Sequence, residues 1–147
     1  MKHHETGLIQ GRAYRLLEIH LTKLLEKYDL LIPEWKLLGQ LSLHNKIRPA
    51  ELAALLGVKR PFITRLMQSL TEKKLLDSKV EKLDKRAQSI TLTSKAEKML
   101  EEIEIDVKKY LQDMFKGVSI VEIGIYVRVL MKIIENGEKL IKDAERL

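Results

Sequence analysis

Apolar residues recur along most of the chain three and four positions apart, the period of a helix with one buried face. From Leu8 to Tyr28 the stripe is Ile9, Ala13, Leu16, Leu17, Leu21, Leu24, Leu25 and Tyr28, which predicts a long first helix. Pro33 suits the first position of a second helix, which carries Trp35, Leu37, Leu38 and Leu41 and fades near His44 and Asn45. Pro49 opens a third, with Leu52, Ala53, Leu55 and Leu56 expected inward, and Gly57 stops it as a C-terminal glycine does. Pro61 stands at the start of a fourth. Its expected inner face is Ile63, Leu66, Met67 and Leu70, and its outer face offers Arg60, Thr64, Arg65 and Gln68.

The period then changes. Ser89-Ile90-Thr91-Leu92 alternates polar and apolar, the pattern of a half-buried strand. Two short strands are expected, Asp77 to Glu81 and Ala87 to Leu92, joined by the charged hairpin tip Lys82-Leu83-Asp84-Lys85-Arg86. Thr93 and Ser94 begin a fifth helix striped by Leu100, Ile103, Val107, Tyr110, Leu111 and Met114 and ended by Gly117. Ser119-Ile120-Val121-Glu122 fits a capping box for a sixth. The alternation of Ile123, Ile125, Val127 and Val129 also fits a strand. The apolar run continues through Ile133, Ile134, Leu140 and Ile141, however, which is too long for one. A helix is therefore expected. The fold class that follows is mainly α with a small β-hairpin.

Composition narrows the chemistry. The chain has 147 residues, the size of one domain, and no cysteine. Disulfides, thiolate metal sites and thiol redox sensing are excluded. The four histidines, His3, His4, His20 and His44, show no ligand spacing, and His3 and His4 are expected in a frayed terminus. Met1 to Thr6 is polar, so no secretion signal is expected. No run approaches the roughly 20 apolar residues of a membrane span. A cytoplasmic location without membrane contact is the expectation. There is no nucleophile–base pair, phosphate loop or metal spacing, and Glu101, Glu102 and Glu104 read as a solvated helix face. Neither catalysis nor a cofactor is expected.

Charge singles out one segment. Between Gly57 and Lys95 stand ten Lys or Arg against four acids, a surplus of six, equal to the formal net charge of +6 for the whole chain. A surplus confined to one folded unit is an electrostatic footprint for a polyanion. A helix, a glycine turn and a second helix that is basic outside and apolar inside make a helix-turn-helix pattern. Such a helix fits the major groove, where arginine pairs with guanine and glutamine with adenine. Taken alone, a basic amphipathic helix is as readily a solvated surface. The adjoining tip, with Lys79, Lys82, Lys85 and Arg86, suits phosphates or a narrow minor groove. Its other reading is a charged guard against edge-to-edge strand pairing.

These residues resemble the MarR family of winged-helix regulators. The matching run is Pro49-Ala50-Glu51-Leu52-Ala53-Ala54-Leu55-Leu56-Gly57-Val58, then Ile63-Thr64-Arg65-Leu66, Leu70, Asp84-Lys85-Arg86 and Ile90-Thr91-Leu92-Thr93. The resemblance implies a winged helix-turn-helix over residues 33–95, flanked by dimerisation helices at 1–32 and 96–147. It implies that the helix from Arg60 enters the major groove, that Arg86 reaches the backbone or minor groove, and that Asp84 holds Arg86 in place. It also implies a small aromatic or lipophilic effector, for which Tyr14, Tyr28, Trp35 and His44 are candidate contacts, each also readable as ordinary core or interface. The chain departs from the family pattern at Lys74 and Ala96, where glycine is usual, and at Arg48 and Lys59, where Ser or Thr usually caps a helix. A cation at those caps costs helix stability but lies near phosphates.

The expected function is a sequence-specific, double-stranded-DNA-binding transcriptional regulator, a ligand-responsive repressor acting as a homodimer on an inverted repeat. The expected DNA contacts are Arg48, Lys59, Arg60, Pro61, Thr64, Arg65, Gln68, Lys79, Lys82, Asp84, Lys85 and Arg86. The competing reading is a winged-helix module that docks an acidic protein partner.

Overall fold

A computed structural model describes residues 2–44, 47–80 and 88–146, with backbone alone at 78–80, 88 and 89. The hairpin tip, including Lys82, Asp84, Lys85 and Arg86, therefore lies outside the described residues, as does the side chain of Lys79. Among the described residues the order is α1 (His3–Glu26), α2 (Ile32–Leu43), α3 (Pro49–Leu56), α4 (Arg60–Glu72), β1 (Leu76–Val80), β2 (Gln88–Leu92), α5 (Ser94–Met114) and α6 (Ile120–Glu145). The mainly α fold with a two-stranded hairpin is as the sequence predicts. The chain packs as two compact units, Met1–Tyr110 and Leu111–Leu147.

The core of the first unit is aliphatic. Leu25 of α1, Leu37 and Leu38 of α2, Leu52 of α3, Ile63 and Leu70 of α4, and Ile103 of α5 are fully buried, with Leu75, Leu76 and Ile90 closing the hairpin side. Each such side chain contributes about 1.5–3 kcal/mol through the water it sheds. β1 and β2 pair antiparallel, Leu76 opposite Leu92 and Ser78 opposite Ile90. Thr93 caps α5, its hydroxyl accepting the Ala96 N–H at 3.2 Å. Ala96 is fully buried, so the methyl that replaces the family's usual glycine adds to the core.

Some expectations shift. α1 begins at His3 instead of Leu8, so His3 and His4 belong to its first turn, where the Glu5 carboxylate accepts the Lys2 N–H at 2.9 Å. Before Leu17, α1 buries no residue, so Ile9 and Leu16 are exposed while Leu25 is core. Leu55 is 58% exposed, not inward. α3 has only eight residues, and Leu52 and Ala53 take its buried face, leaving Leu55 on the flank.

In the second unit, Gly117 turns the chain with φ +85°. The predicted capping box forms: the Ser119 hydroxyl accepts the Glu122 N–H at 3.3 Å, and the Glu122 carboxylate accepts the Ser119 N–H at 2.8 Å. Bonds from the Ser119 hydroxyl and N–H hold the Glu122 carboxyl below its usual range. The rings of Phe115 and Tyr126 meet at 6.4 Å. Helix α6 is continuous, and the strand reading of Ile123 to Val129 is set aside. Not one of its described residues is buried.

Candidate nucleic-acid interface

Two helices and a left-handed turn build the candidate site. Arg48 precedes α3, where its N–H donates to the Glu51 carboxylate at 3.0 Å, so the family's usual hydroxyl cap is partly replaced by an acid reaching back. Gly57 ends α3 with φ +64°, a conformation that glycine enters without strain. The Val58 N–H then closes onto the Ala53 carbonyl at 3.0 Å. Lys59 sits extended at the N-cap of α4, without a side-chain cap and with no acid in the first turn. The orphan N–H groups and positive dipole end of α4 therefore share a surface with Lys59 and Arg60, which favours an anion there.

The inner face of α4 packs into the core through Ile63, Leu66 and Leu70. Helical geometry then leaves Lys59, Arg60, Pro61, Thr64, Arg65 and Gln68 exposed. The Thr64 hydroxyl donates to the Arg60 carbonyl at 3.3 Å, and the Gln68 amide donates to Glu72 at 3.3 Å. Among the described residues, no carboxylate pairs with the side chains of Arg48, Lys59, Arg60 or Arg65.

The far end of α4 holds what the pattern of apolar positions did not disclose. Lys74 takes φ +60° just past the helix. Its N–H bonds the Thr71 carbonyl at 3.0 Å and the Leu75 N–H bonds the Leu70 carbonyl at 2.9 Å, a Schellman closure made with lysine in place of glycine. Glu34, on α2, is 1% exposed. Its carboxylate accepts the Leu31 N–H at 2.9 Å, the Ser69 hydroxyl at 2.6 Å and the Lys73 ammonium at 3.0 Å. Burial pushes this carboxyl up, but the bonds from Leu31, Ser69 and Lys73 together hold it below the ordinary glutamate range. The only hint in the sequence is an acid in the first turn after Pro33.

Of the four candidate effector contacts, Tyr14, Tyr28 and His44 do not line the groove that Trp35 lines. Tyr14 is exposed and donates to Glu18 at 2.7 Å. Tyr28 donates to Asp106 at 2.6 Å, an acid that also pairs with Lys27, and so ties the turn after α1 to α5. The Lys27 bond, helped by Tyr28, holds the Asp106 carboxyl low, while burial and the Asp106 bond raise the Tyr28 phenol. His44 is exposed at the end of α2. Trp35 lines an open groove of about 1380 Å³ between α2, β2 and α5, with Gly39, Leu43, Leu55, Leu92 and Leu100. Glu97, Glu101 and Glu104 form part of its wall. Among the described residues no cluster of His, Asp and Glu has metal-site geometry, and no helix is long and apolar enough to cross a membrane.

Residues 28–87 match the MarR family. The fold is similar to that of the transcriptional regulator PA3341, 27% identical over 91% of this chain and 98% of that one, with a TM-score of 0.79. It is similar to Staphylococcus aureus MarR in complex with salicylate and kanamycin, 22% identical over 92% of each chain with a TM-score of 0.81. A mutant of E. coli MarR complexed with operator DNA is 22% identical over 86% of this chain and 91% of that one, with a TM-score of 0.77. The residues that match the MarR family hold the helix-turn-helix and the first strand, and beyond them the likeness to these regulators is one of fold, taking in most of the flanking helices.

Proposed function

We propose that the chain is a transcriptional regulator that reads double-stranded DNA, acting as a homodimeric, ligand-responsive repressor on an inverted repeat. The observation that carries this is α4, with Ile63, Leu66 and Leu70 buried on one side and Lys59, Arg60, Thr64, Arg65 and Gln68 exposed on the other. A rod anchored along one face and cationic along the other suits the major groove. In this reading Arg65 and Gln68 meet base edges, Arg48, Lys59 and Arg60 meet phosphates, and Pro61 fixes the entry of the helix. On the family pattern, Lys79, Lys82, Lys85 and Arg86 of the hairpin contact the adjoining backbone or minor groove, with Asp84 orienting Arg86.

Dimerisation is supported by the exposed apolar length of α6 and of the first half of α1. A two-fold pair would set two recognition helices about 34 Å apart, matching half-sites centred about 10 bp apart. For an effector, the groove beside Trp35 is large enough for a small aromatic or lipophilic molecule and has apolar residues on part of its wall, beside three glutamates. Such a molecule must prefer the DNA-free conformation, or it shifts nothing.

The test is duplex selection from random sequence, followed by binding at several salt concentrations. Wild type should enrich a two-fold symmetric sequence, and Arg65→Ala combined with Arg86→Ala should abolish that preference. Unchanged occupancy by the double variant in moderate salt would overturn the reading. Binding to an acidic protein without duplex preference would replace it with the docking-module alternative.

A further inference from the structure

We infer that Glu34 is a positioning residue for the recognition helix: with Ser69 and Lys73 it sets the angle at which α4 stands on the domain. This rests on the DNA-reading proposal for what the angle is used for, but not for the angle itself.

Along most of its length α4 is held by apolar packing, through Ile63, Leu66 and Leu70. Apolar contact is non-directional and resists tilting only through packing. Directional bonds gather at the C-terminal end. Ser69 and Lys73 both bond the buried Glu34 carboxylate. The Lys73 ammonium also donates to the Asp29 carbonyl at 2.5 Å, between α1 and α2. From the other side, the Lys95 ammonium donates to the Lys73 carbonyl at 3.0 Å and the Thr93 hydroxyl to the Lys74 carbonyl at 2.8 Å. One end of the rod is thus clamped from α2, from the turn before it and from the start of α5. The opposite end carries Lys59 and Arg60.

The lever is long enough to matter. Thirteen residues of α4 span about 20 Å at 1.5 Å per residue. A tilt of about 10° at the clamp moves the far end by roughly 3.5 Å, one base-pair rise. Base-edge hydrogen bonds do not survive such a displacement, whereas attraction between cations and phosphates largely does. A buried ion pair adds little as pure stabilisation, because an apolar replacement of like size is often as stable. Directional fixing of α4 is what an apolar residue at Glu34 could not supply.

Two readouts test this separately. The chain has no cysteine, so Lys36→Cys with Thr64→Cys, both exposed positions, gives one spin-labelled pair across α2 and α4. The distance distribution is measured by pulsed electron resonance in this background and again with Glu34→Met, Glu34→Gln or Ser69→Ala, each checked as folded by circular dichroism. The expected result is a narrow wild-type distribution that broadens or shifts by several ångströms with Glu34→Met and Ser69→Ala, and less with Glu34→Gln. In unlabelled protein, Glu34→Met should lower the ratio of affinities for the wild-type-selected duplex over a random-sequence duplex by tenfold or more. Its affinity for the random duplex, and the salt slope of that binding, should stay the same.

A merely stabilising Glu34 would lower the melting temperature and leave both the distance and the ratio alone; that outcome overturns the inference. Should the distribution shift while wild type enriches no duplex, positioning stands and the DNA reading falls.

Discussion

Lys74 holds a backbone conformation that L-residues with a Cβ enter at a cost of about 1–2 kcal/mol. The Schellman bonds at the end of α4 require that conformation, since Leu75 and Lys74 both close onto the last turn. Glycine would relieve the strain but lose more entropy on folding, so Lys74→Gly should stabilise the chain by about 0.5–1 kcal/mol. Thermal unfolding checks it, and a destabilised variant would show that the lysine side chain contributes something the backbone geometry does not reveal. Lys59 presents the opposite balance. It stands at an N-cap without a capping acceptor, so Lys59→Ser should add about 1 kcal/mol of stability. The same change should weaken duplex binding and flatten its dependence on log salt by about 0.9 for each phosphate that is no longer neutralised. If affinity and slope both stay put, Lys59 does not touch the backbone of the duplex.

Between elements, the buried Glu34 carboxylate of α2 bonds Ser69 and Lys73. Its folded-state pKa lies below the ordinary 4.5, so between the two values the folded chain binds fewer protons than the unfolded one. Its contribution to stability is complete above the ordinary value and drains away as pH falls through the folded one. Glu34→Gln should therefore be less stable than wild type near neutrality, and the gap should narrow on acidification below about pH 4.5. Parallel denaturant titrations of the two proteins measure it. A gap independent of pH would mean the charge is idle.

This contact also marks where sequence stops being informative about elements. Helical period located every helix, and local signals marked several ends: Gly57 by its place after an apolar run, Ser119 and Glu122 by their spacing. Those are short-range properties, set within one or two turns. The burial of Glu34 depends on Ser69 and Lys73, more than thirty positions away. That burial has no signature inside its own helix. The basic outer face of α4 was legible because one helix suffices to define it.

At the scale of the whole molecule, the second unit presents apolar surface along a helix with no buried residue among those described. Ile120 is 87% exposed and Leu140 70% exposed, near opposite ends of that helix. Apolar residues exposed along so much of one helix mark a contact with something else, and the dimer proposed above would supply it. Ile134 lies in the same stretch and is likewise exposed. Ile134→Asp would force a carboxylate into that contact, which costs several kcal/mol if it is buried unpaired. Analytical ultracentrifugation should find the variant monomeric at concentrations where wild type is a dimer, with duplex affinity lower by a hundredfold or more as the second half-site is lost. A variant that sediments like wild type would leave α6 without a role in assembly. If α6 gains its burial only from a second chain, supply governs output steeply. Halving the number of chains in a cell would cut the number of assembled pairs by up to fourfold when most chains are single. A promoter under such control would respond to small changes in synthesis or turnover as a threshold device, not a proportional one.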